Sequence, residues 1–408
     1  MLSVDEAFAA ILAAVETAAP SPTPLANALG LTLADDIVSD IDSPPFDKSL
    51  MDGFAVRAAD VAGGTVTLRV IDEVTAGKLP TKVVRQGEAT RIMTGAAIPD
   101  GADAVVRIEE TSIDAETGNV EISSDLTKPE SNLMRRGTSM RRGDRVLLAG
   151  RTLRPQELGA LAELGVHRVN LRPRPTVAVL ATGDELVPVD QTPGPGQIRN
   201  SNETMLIAQI RRAGGEPVPL GIAGDNRKEL GERIAAGLQC DMLLLSGGVS
   251  AGKLDLVPSE LEAAGVRQVF HKVHIKPGKP VWYGKLGTPI GPCRHVFGLP
   301  GNPVSSLVCF ELFARTAIRK LMGVEPAVPQ SVSARLAAAH IARGDRPTYH
   351  PAHLEWSEEG AIAGPVAWQG SADLRSTVEA NAMILFPAGD HEYAAGDTVE
   401  VICWDNLV

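Results

Sequence analysis

The sequence predicts a multidomain protein of α/β plus β class. It has an open parallel α/β sheet domain, a small β module inserted ahead of it, a helical N-terminal part and a C-terminal β part. Three observations carry that prediction. Strand-type apolar runs alternate with helical periods only between about residues 173 and 327, and such alternation gives right-handed crossovers with helices on both sheet faces. Short β-type runs broken by Gly, Pro, Asp and Asn fill residues 44–145 and return after 328. A chain of 408 residues, at about 150 per domain, is long enough for roughly two to four cores.

The elements follow in order. Ser3-x-x-Glu6 is a capping box, and Phe8, Ile11, Leu12 and Val15 continue at helical spacing until Pro20, Pro22 and Pro24. Strands are expected at 65–70, 82–85, 104–108, 120–123 and 144–148. A helix at 154–164 stops at Gly165. With 1–43, residues 146–172 make the helical and linker part, and Pro173 and Pro175 open the α/β domain at 173–327. There Thr176-Val-Ala-Val-Leu-Ala181 reads as a buried parallel strand. Further strands are expected at 218–222, 241–245 and 295–299, with helices at 202–213, 227–238 and 304–321. In the tail, 328–408, strands fall at 382–386 and 398–403.

Composition excludes several classes. Thirty-nine basic against 50 acidic side chains leave a net charge of −11, opposite to the basic surface that nucleic-acid binding demands. No apolar run approaches the ~20 residues of a membrane span. The opening Met1-Leu2-Ser3-Val4-Asp5-Glu6 has no basic stretch leading an apolar core, so no signal peptide is expected. Four scattered cysteines without a C-x-x-C pair suit reduced thiols in the cytoplasm.

Ligands bind outside the carboxyl ends of strands in an open parallel sheet, so chemistry is expected in those loops. Leu243–Leu245 run into Ser246-Gly247-Gly248-Val249-Ser250-Ala251-Gly252. Backbone N–H groups freed by such glycines cradle phosphate, with the Ser246 and Ser250 hydroxyls beside them; a tight turn without ligand is the other reading. Gly247–Lys253 has P-loop spacing, but Leu254 stands where the Mg2+-binding hydroxyl belongs, which rules out a P-loop NTPase. Pro300, Gly301, Asn302 and Ser305 repeat the logic at the next strand end, either as an anion site on a helix N-terminus or as a capped helix start. Lys276 and Lys279 flank a Pro-Gly turn, where two ammonium groups converge on one small oxyanion unless both are merely solvated. Glu185, Asp225 and Asp255 occupy strand-end positions suited to hydrated Mg2+ or a positioned water, although each alone also suits a cap or surface charge. Asp184 reads as a structural acid. Taken alone, the loops carrying Asp52 and Thr94 read as structural turns.

Seven motifs stand in one order: P-P-F-D-x-S-x-M-D-G-F-A at 44–55, R-I-M-T-G-A at 91–96, T-G-D-E-L at 182–186, G-Q-I-R at 196–199, S-G-G-V-S at 246–250, K-P-G-K-P at 276–280 and G-L-P-G-N-P-V-S at 298–305. Along nearly its whole length the chain resembles the molybdopterin molybdenumtransferase family of molybdenum-cofactor biosynthesis, which includes the E domain of gephyrin. The resemblance implies an α/β domain of molybdopterin-binding type, a C-terminal β-barrel-like domain and a homodimer with its active site between subunits. It also implies insertion of molybdate into adenylylated molybdopterin with Mg2+-dependent release of AMP, downstream of a molybdopterin adenylyltransferase. Asp52 and Thr94 would come from the partner's β module. Glu185, Asp225 and Asp255 would serve the metal and the adenylate phosphate, and Lys276 and Lys279 the incoming oxyanion. Gly247, Gly248, Ser250, Pro300, Gly301, Asn302 and Ser305 would shape the pterin and phosphate pocket, with Arg346 and Ser371 helping to close the anion site.

Three positions depart from the family pattern. Lys253 reverses charge two residues from Asp255, Asn200 removes a carboxylate after G-Q-I-R, and Lys48 stands inside the first motif. Two other functions share these features: an adenylyltransferase-like enzyme acting on molybdopterin, and a catalytically silent pterin-binding scaffold. A Rossmann dehydrogenase is disfavoured, because no G-x-G-x-x-G follows a strand.

Overall fold

The computed structural model describes residues 1–123, 126–248, 256–287 and 293–404. Two units are distinguished, Met1–Asp35 with Ala149–Leu158 and His167–Val408, and Asp36–Leu148 with Gly159–Val166.

In the first unit, period-two alternation builds a six-stranded sheet with two cores. Val177, Val179, Leu244 and Phe297 point into one, and Ala178, Leu180, Leu243, Leu245 and Val296 into the other. The strand order is Glu216–Ala223, Thr176–Thr182, Met242–Ser246, Arg294–Leu299, Trp282–Leu286, Arg267–His271. The first four run parallel, as the apolar runs predict. The last two are antiparallel additions that the sequence reading does not anticipate. No helix joins them, and only Phe270 is fully buried on the outer one. Helices Ser201–Ala213 and Pro303–Cys309 cover one face through Leu206, Ile210, Val304 and Val308. Arg227–Gly237 and Val257–Ala263 cover the other through Leu230, Ile234 and Leu261.

The capping box at Ser3 and Glu6 forms, and Val4, Ala7, Ile11 and Val15 join the first core. The expected helix at 304–321 is interrupted by a π turn, Phe310–Ala314. That turn carries the buried Glu311, which pairs with Arg212 and Arg315; single π turns inside α-helices accommodate such a demand. In the C-terminal part, Ser331–Leu336, Gly360–Pro365, Thr348–Ser357, Ala382–Phe386 and Thr398–Cys403 close into a barrel, which removes every exposed edge.

The second unit is a six-stranded sheet in the order Ala104–Arg107, Gly53–Val56, Glu88–Ile92, Thr65–Val74, Val120–Ser123, Thr111–Ile113, around Phe54, Leu68, Val106 and Ile122. Residues 82–85 are not a strand. Only Val84 of the four is buried; the strand is Glu88–Ile92, whose Ala89, Thr90 and Ile92 enter the interior.

Candidate functional site

After Thr176–Thr182 the chain crosses to Glu216–Ala223 on one side, then returns to Met242–Ser246 on the other. The strand order reverses there, and helices on opposite faces leave a crevice beyond the carboxyl ends. A cavity of about 720 Å³ occupies that position, its floor made by Thr182, Ser246 and Pro300 at the ends of three adjacent strands.

Gly247 and Gly248 line it with φ of +98° and +64°, a conformation that favours glycine. A Cβ on Gly247 would stand 2.7 Å from the Thr182 carbonyl oxygen. Gly301 and Asn302 line the same cavity at the start of helix Pro303–Cys309, where Asn302 donates to Ser371 Oγ at 2.9 Å and Val304 N–H donates to the Ser371 carbonyl at 3.0 Å. Ser371 therefore joins the barrel part to this helix start. Ser305 is 4% exposed and is not among the lining residues.

Glu185 and Asp225 both line the cavity. Asp184 accepts from the Asp225 amide at 2.9 Å, so it shapes the loop that presents Asp225. Two hard-oxygen carboxylates beside these glycine loops are a donor set that suits Mg2+, which commonly takes one or two carboxylates and completes its shell with water and substrate phosphate. Among the described residues, no three His, Cys, Asp or Glu side chains gather as a metal site. Ser250, Lys253 and Asp255 lie outside the described residues.

Sequence reasoning assigned no cavity role to three residues that line it, Arg199, Asn200 and Asn202. Arg199 of G-Q-I-R lines it on a short strand paired with Leu186–Val187, and among the described lining residues it is the sole basic one. Asn202, nearly buried, lies on the wall and donates to Ser246 Oγ and to the Gly301 carbonyl, both at 2.8 Å, so it ties the two glycine loops together. Asn200 caps helix Ser201–Ala213 through the Glu203 amide and donates to Glu203 Oε2 at 2.8 Å. The signal for both asparagines was available: they sit at and just after a helix start.

The two lysines of K-P-G-K-P lie outside the lining of the strand-end cavity. Lys276 is held through its backbone to Pro347 and Tyr349, is exposed, and lines a second pocket, on the barrel. Lys279 is exposed; Pro280, next in the turn, lines the strand-end cavity. Arg346 donates to the Ile275 carbonyl at 3.0 Å, bracing the turn from behind.

In the second unit, Thr94 donates its amide and its hydroxyl to Asp52 Oδ1, at 2.6 and 2.8 Å. These bonds, the amide's first, hold the Asp52 carboxyl below the usual range. Phe46, Leu50 and Met51 of the same loop are all exposed.

Residues 2–165 match the family described as MoeA N-terminal region (domain I and II), 178–320 the one described as Probable molybdopterin binding domain, and 333–404 the one described as MoeA C-terminal region (domain IV). The chain is 36% identical over 420 residues to molybdopterin molybdenumtransferase 2 of Mycobacterium tuberculosis, with 99% of this chain and 100% of that protein covered. It is 33% identical over 389 residues to the molybdopterin molybdenumtransferase of Staphylococcus aureus, covering 93% and 90%. Its fold superposes on the molybdopterin biosynthesis moeA protein from Pyrococcus horikoshii OT3 with a TM-score of 0.82, at 29% identity over 99% of this chain and 100% of that one. Glycine loops at the switch point, a closed C-terminal barrel and full-length likeness agree: the chain belongs to the molybdopterin molybdenumtransferase family.

Proposed function

We propose that this chain is an enzyme that inserts molybdenum into molybdopterin during molybdenum-cofactor biosynthesis, taking molybdate and adenylylated molybdopterin and releasing AMP with Mg2+. The observation that carries the reading is the strand-end cavity, where two glycine loops and two carboxylates meet at one switch point. The loops at Gly247–Gly248 and Gly301–Asn302 hold the adenylate phosphate through backbone N–H groups, and Arg199 adds charge. Glu185 and Asp225, with Asp255, would hold Mg2+, which when bound neutralises phosphate charge. Lys276 and Lys279 receive the oxyanion as mobile point charges, on a turn braced by Arg346, and Ser371 fixes the neighbouring helix start. No protein thiol takes part; the substrate supplies the sulfurs, and none of the four cysteines is in a disulfide, in keeping with a cytoplasmic site of action.

A second copy of the chain supplies Asp52 and Thr94. The exposed Phe46, Leu50 and Met51 beside Asp52 support that reading, since clustered apolar exposure marks interaction surfaces. An upstream molybdopterin adenylyltransferase provides the substrate. No helix among the described residues is long and apolar enough to cross a membrane, and the charge of −11 opposes nucleic-acid binding.

The test is a reconstituted assay with adenylylated molybdopterin. Molybdate-dependent AMP release, abolished in Asp225→Ala and in Asp255→Ala, is expected. ATP consumption without AMP release would point to adenylylation instead, and absence of both to a scaffold.

A further inference from the structure

The barrel carries a second pocket of about 390 Å³, within the size range of small-molecule sites. Its walls include His340, His350, Trp368 and Phe386, and Lys276 and Arg343 supply positive charge. Phe386 is buried and stacks under His340, with ring centres 4.4 Å apart at 15°. One face of His340 is thereby covered, and His350 stands edge-on to it, with centres 5.1 Å apart at 75°, so the two imidazoles and Phe386 form one ring cluster on the pocket wall. His350 stands nearly perpendicular to Trp368, with centres 5.2 Å apart. Its Nε2 faces the Val366 carbonyl at 3.0 Å, and a carbonyl accepts only, so Nε2 carries the proton. Nδ1 of the neutral ring is then an acceptor. Burial holds both imidazoles below their ordinary range, foremost for His350, which keeps them neutral near pH 7.

Flat rings, a fixed acceptor and a positive rim suit a planar, hydrogen-bonding heterocycle that carries negative charge. The strand-end cavity offers no such surface: none of its described lining residues is aromatic. The two cavities share one turn, because Lys276 lines the barrel pocket and Pro280 the strand-end cavity. A substrate lying over that turn would reach both, with Lys276 and Lys279 between its ends.

We propose that the barrel pocket of His340, His350, Trp368 and Phe386 receives the pterin ring of the substrate while the strand-end cavity holds its adenylate. This rests on the function proposed above, and the experiment separates the two. AMP with Mg2+, and separately pterin-6-carboxylate, are titrated calorimetrically into the full-length protein. Wild type is expected to bind both. His340→Ala and Trp368→Leu are expected to weaken pterin-6-carboxylate about tenfold or more, the scale of a lost stacking contact, and to leave AMP affinity unchanged. Trp368→Phe, which keeps a ring, should retain pterin binding. In wild type, pterin-6-carboxylate should also protect residues 340–342 and 348–357 from amide hydrogen exchange, a readout independent of any variant's folding. AMP binding together with unaltered pterin binding in both variants, or protection elsewhere in the chain, overturns the pocket and leaves the proposed function standing. Failure of wild type to bind pterin-6-carboxylate also overturns it, and failure to bind AMP removes both.

Discussion

Thr94 places two donors on a single oxygen of Asp52, although 42 residues separate them in sequence. The oxygen engaged is Oδ1 in both cases, so Thr94 leaves Oδ2 to other partners. A carboxylate so held stays ionised to lower pH than a free one, and the direction found for Asp52 is downward. Thr94→Val keeps the amide bond and the branched shape and deletes only the hydroxyl. The Asp52 carboxyl should then titrate at higher pH, read by carbon NMR, and AMP release should fall about tenfold while melting is unchanged. An unmoved Asp52 titration would show that the amide alone sets its charge.

Asn200, expected from the sequence to depart from the family pattern, has a structural role at a helix start. Its amide oxygen caps helix Ser201–Ala213, and its amide nitrogen donates to the carboxylate of Glu203, whose other oxygen accepts from Gly221 N–H at 3.1 Å. An aspartate at this place would keep the cap but set two carboxylates against each other. Asn200→Ala should cost about 1 kcal/mol as a lost cap. Asn200→Asp should cost a comparable amount, and adding Glu203→Gln should restore it, since the glutamine amide can donate where two carboxylates repel. Urea unfolding of the three variants checks this; no rescue by the double variant would sink the explanation.

These two cases mark what the sequence discloses. Local signals were legible: the Ser3–Glu6 capping box, the unbroken apolar run at Thr176–Ala181 and the glycines at strand ends all reflect rules that act within a few residues. Lys82–Arg85 misled because Val83 and Val84 imitate a strand while only Val84 reaches the interior. The placement of Lys276 beside the barrel was not legible at all. It is decided by backbone pairing with Pro347 and Tyr349, partners that no local pattern links to the turn. Arg199 was visible inside a quoted motif, but only its pairing next to Leu186–Val187 brings it to the cavity.

Gly278 sits at the centre of the lysine turn with φ of +110°, and a Cβ there would lie 2.4 Å from Cys309 Sγ. Two penalties therefore coincide, backbone strain and a clash with a fully buried sulfur. Gly278→Ala should destabilise by about 2 kcal/mol or more. Cys309→Ala in the same chain should recover part of that loss, because it removes the clash and leaves the strain. Full recovery would mean that the backbone conformation costs nothing, and no recovery that the sulfur moves aside freely; chemical denaturation distinguishes them.

His295 gives the fold a dependence on pH with a defined window. The ring is 2% exposed, and its Nδ1 lies 3.0 Å from the Tyr283 hydroxyl. Burial, then the charge of Lys285, pushes its pKa down to about 4; Asp241 opposes this and Arg294 adds to it. In the unfolded chain the imidazole titrates near its ordinary 6.5. Above that pH neither state is protonated, and His295 exerts no pull. Between 6.5 and about 4 the unfolded chain binds a proton that the native ring refuses, so stability is lost as pH falls through this window. A displacement of about 2.5 units at 1.36 kcal/mol each amounts to about 3 kcal/mol by pH 4. His295→Gln retains a partner for Tyr283 and cannot titrate. Carboxylates such as Glu157, held down to about 2 by Arg154, act equally in both proteins and cancel. The difference in unfolding free energy between wild type and variant should therefore be flat above pH 7 and narrow in the variant's favour from pH 6.5 to 4. Parallel stability curves across that range would mean that the buried imidazole accepts its proton without disturbing the sheet.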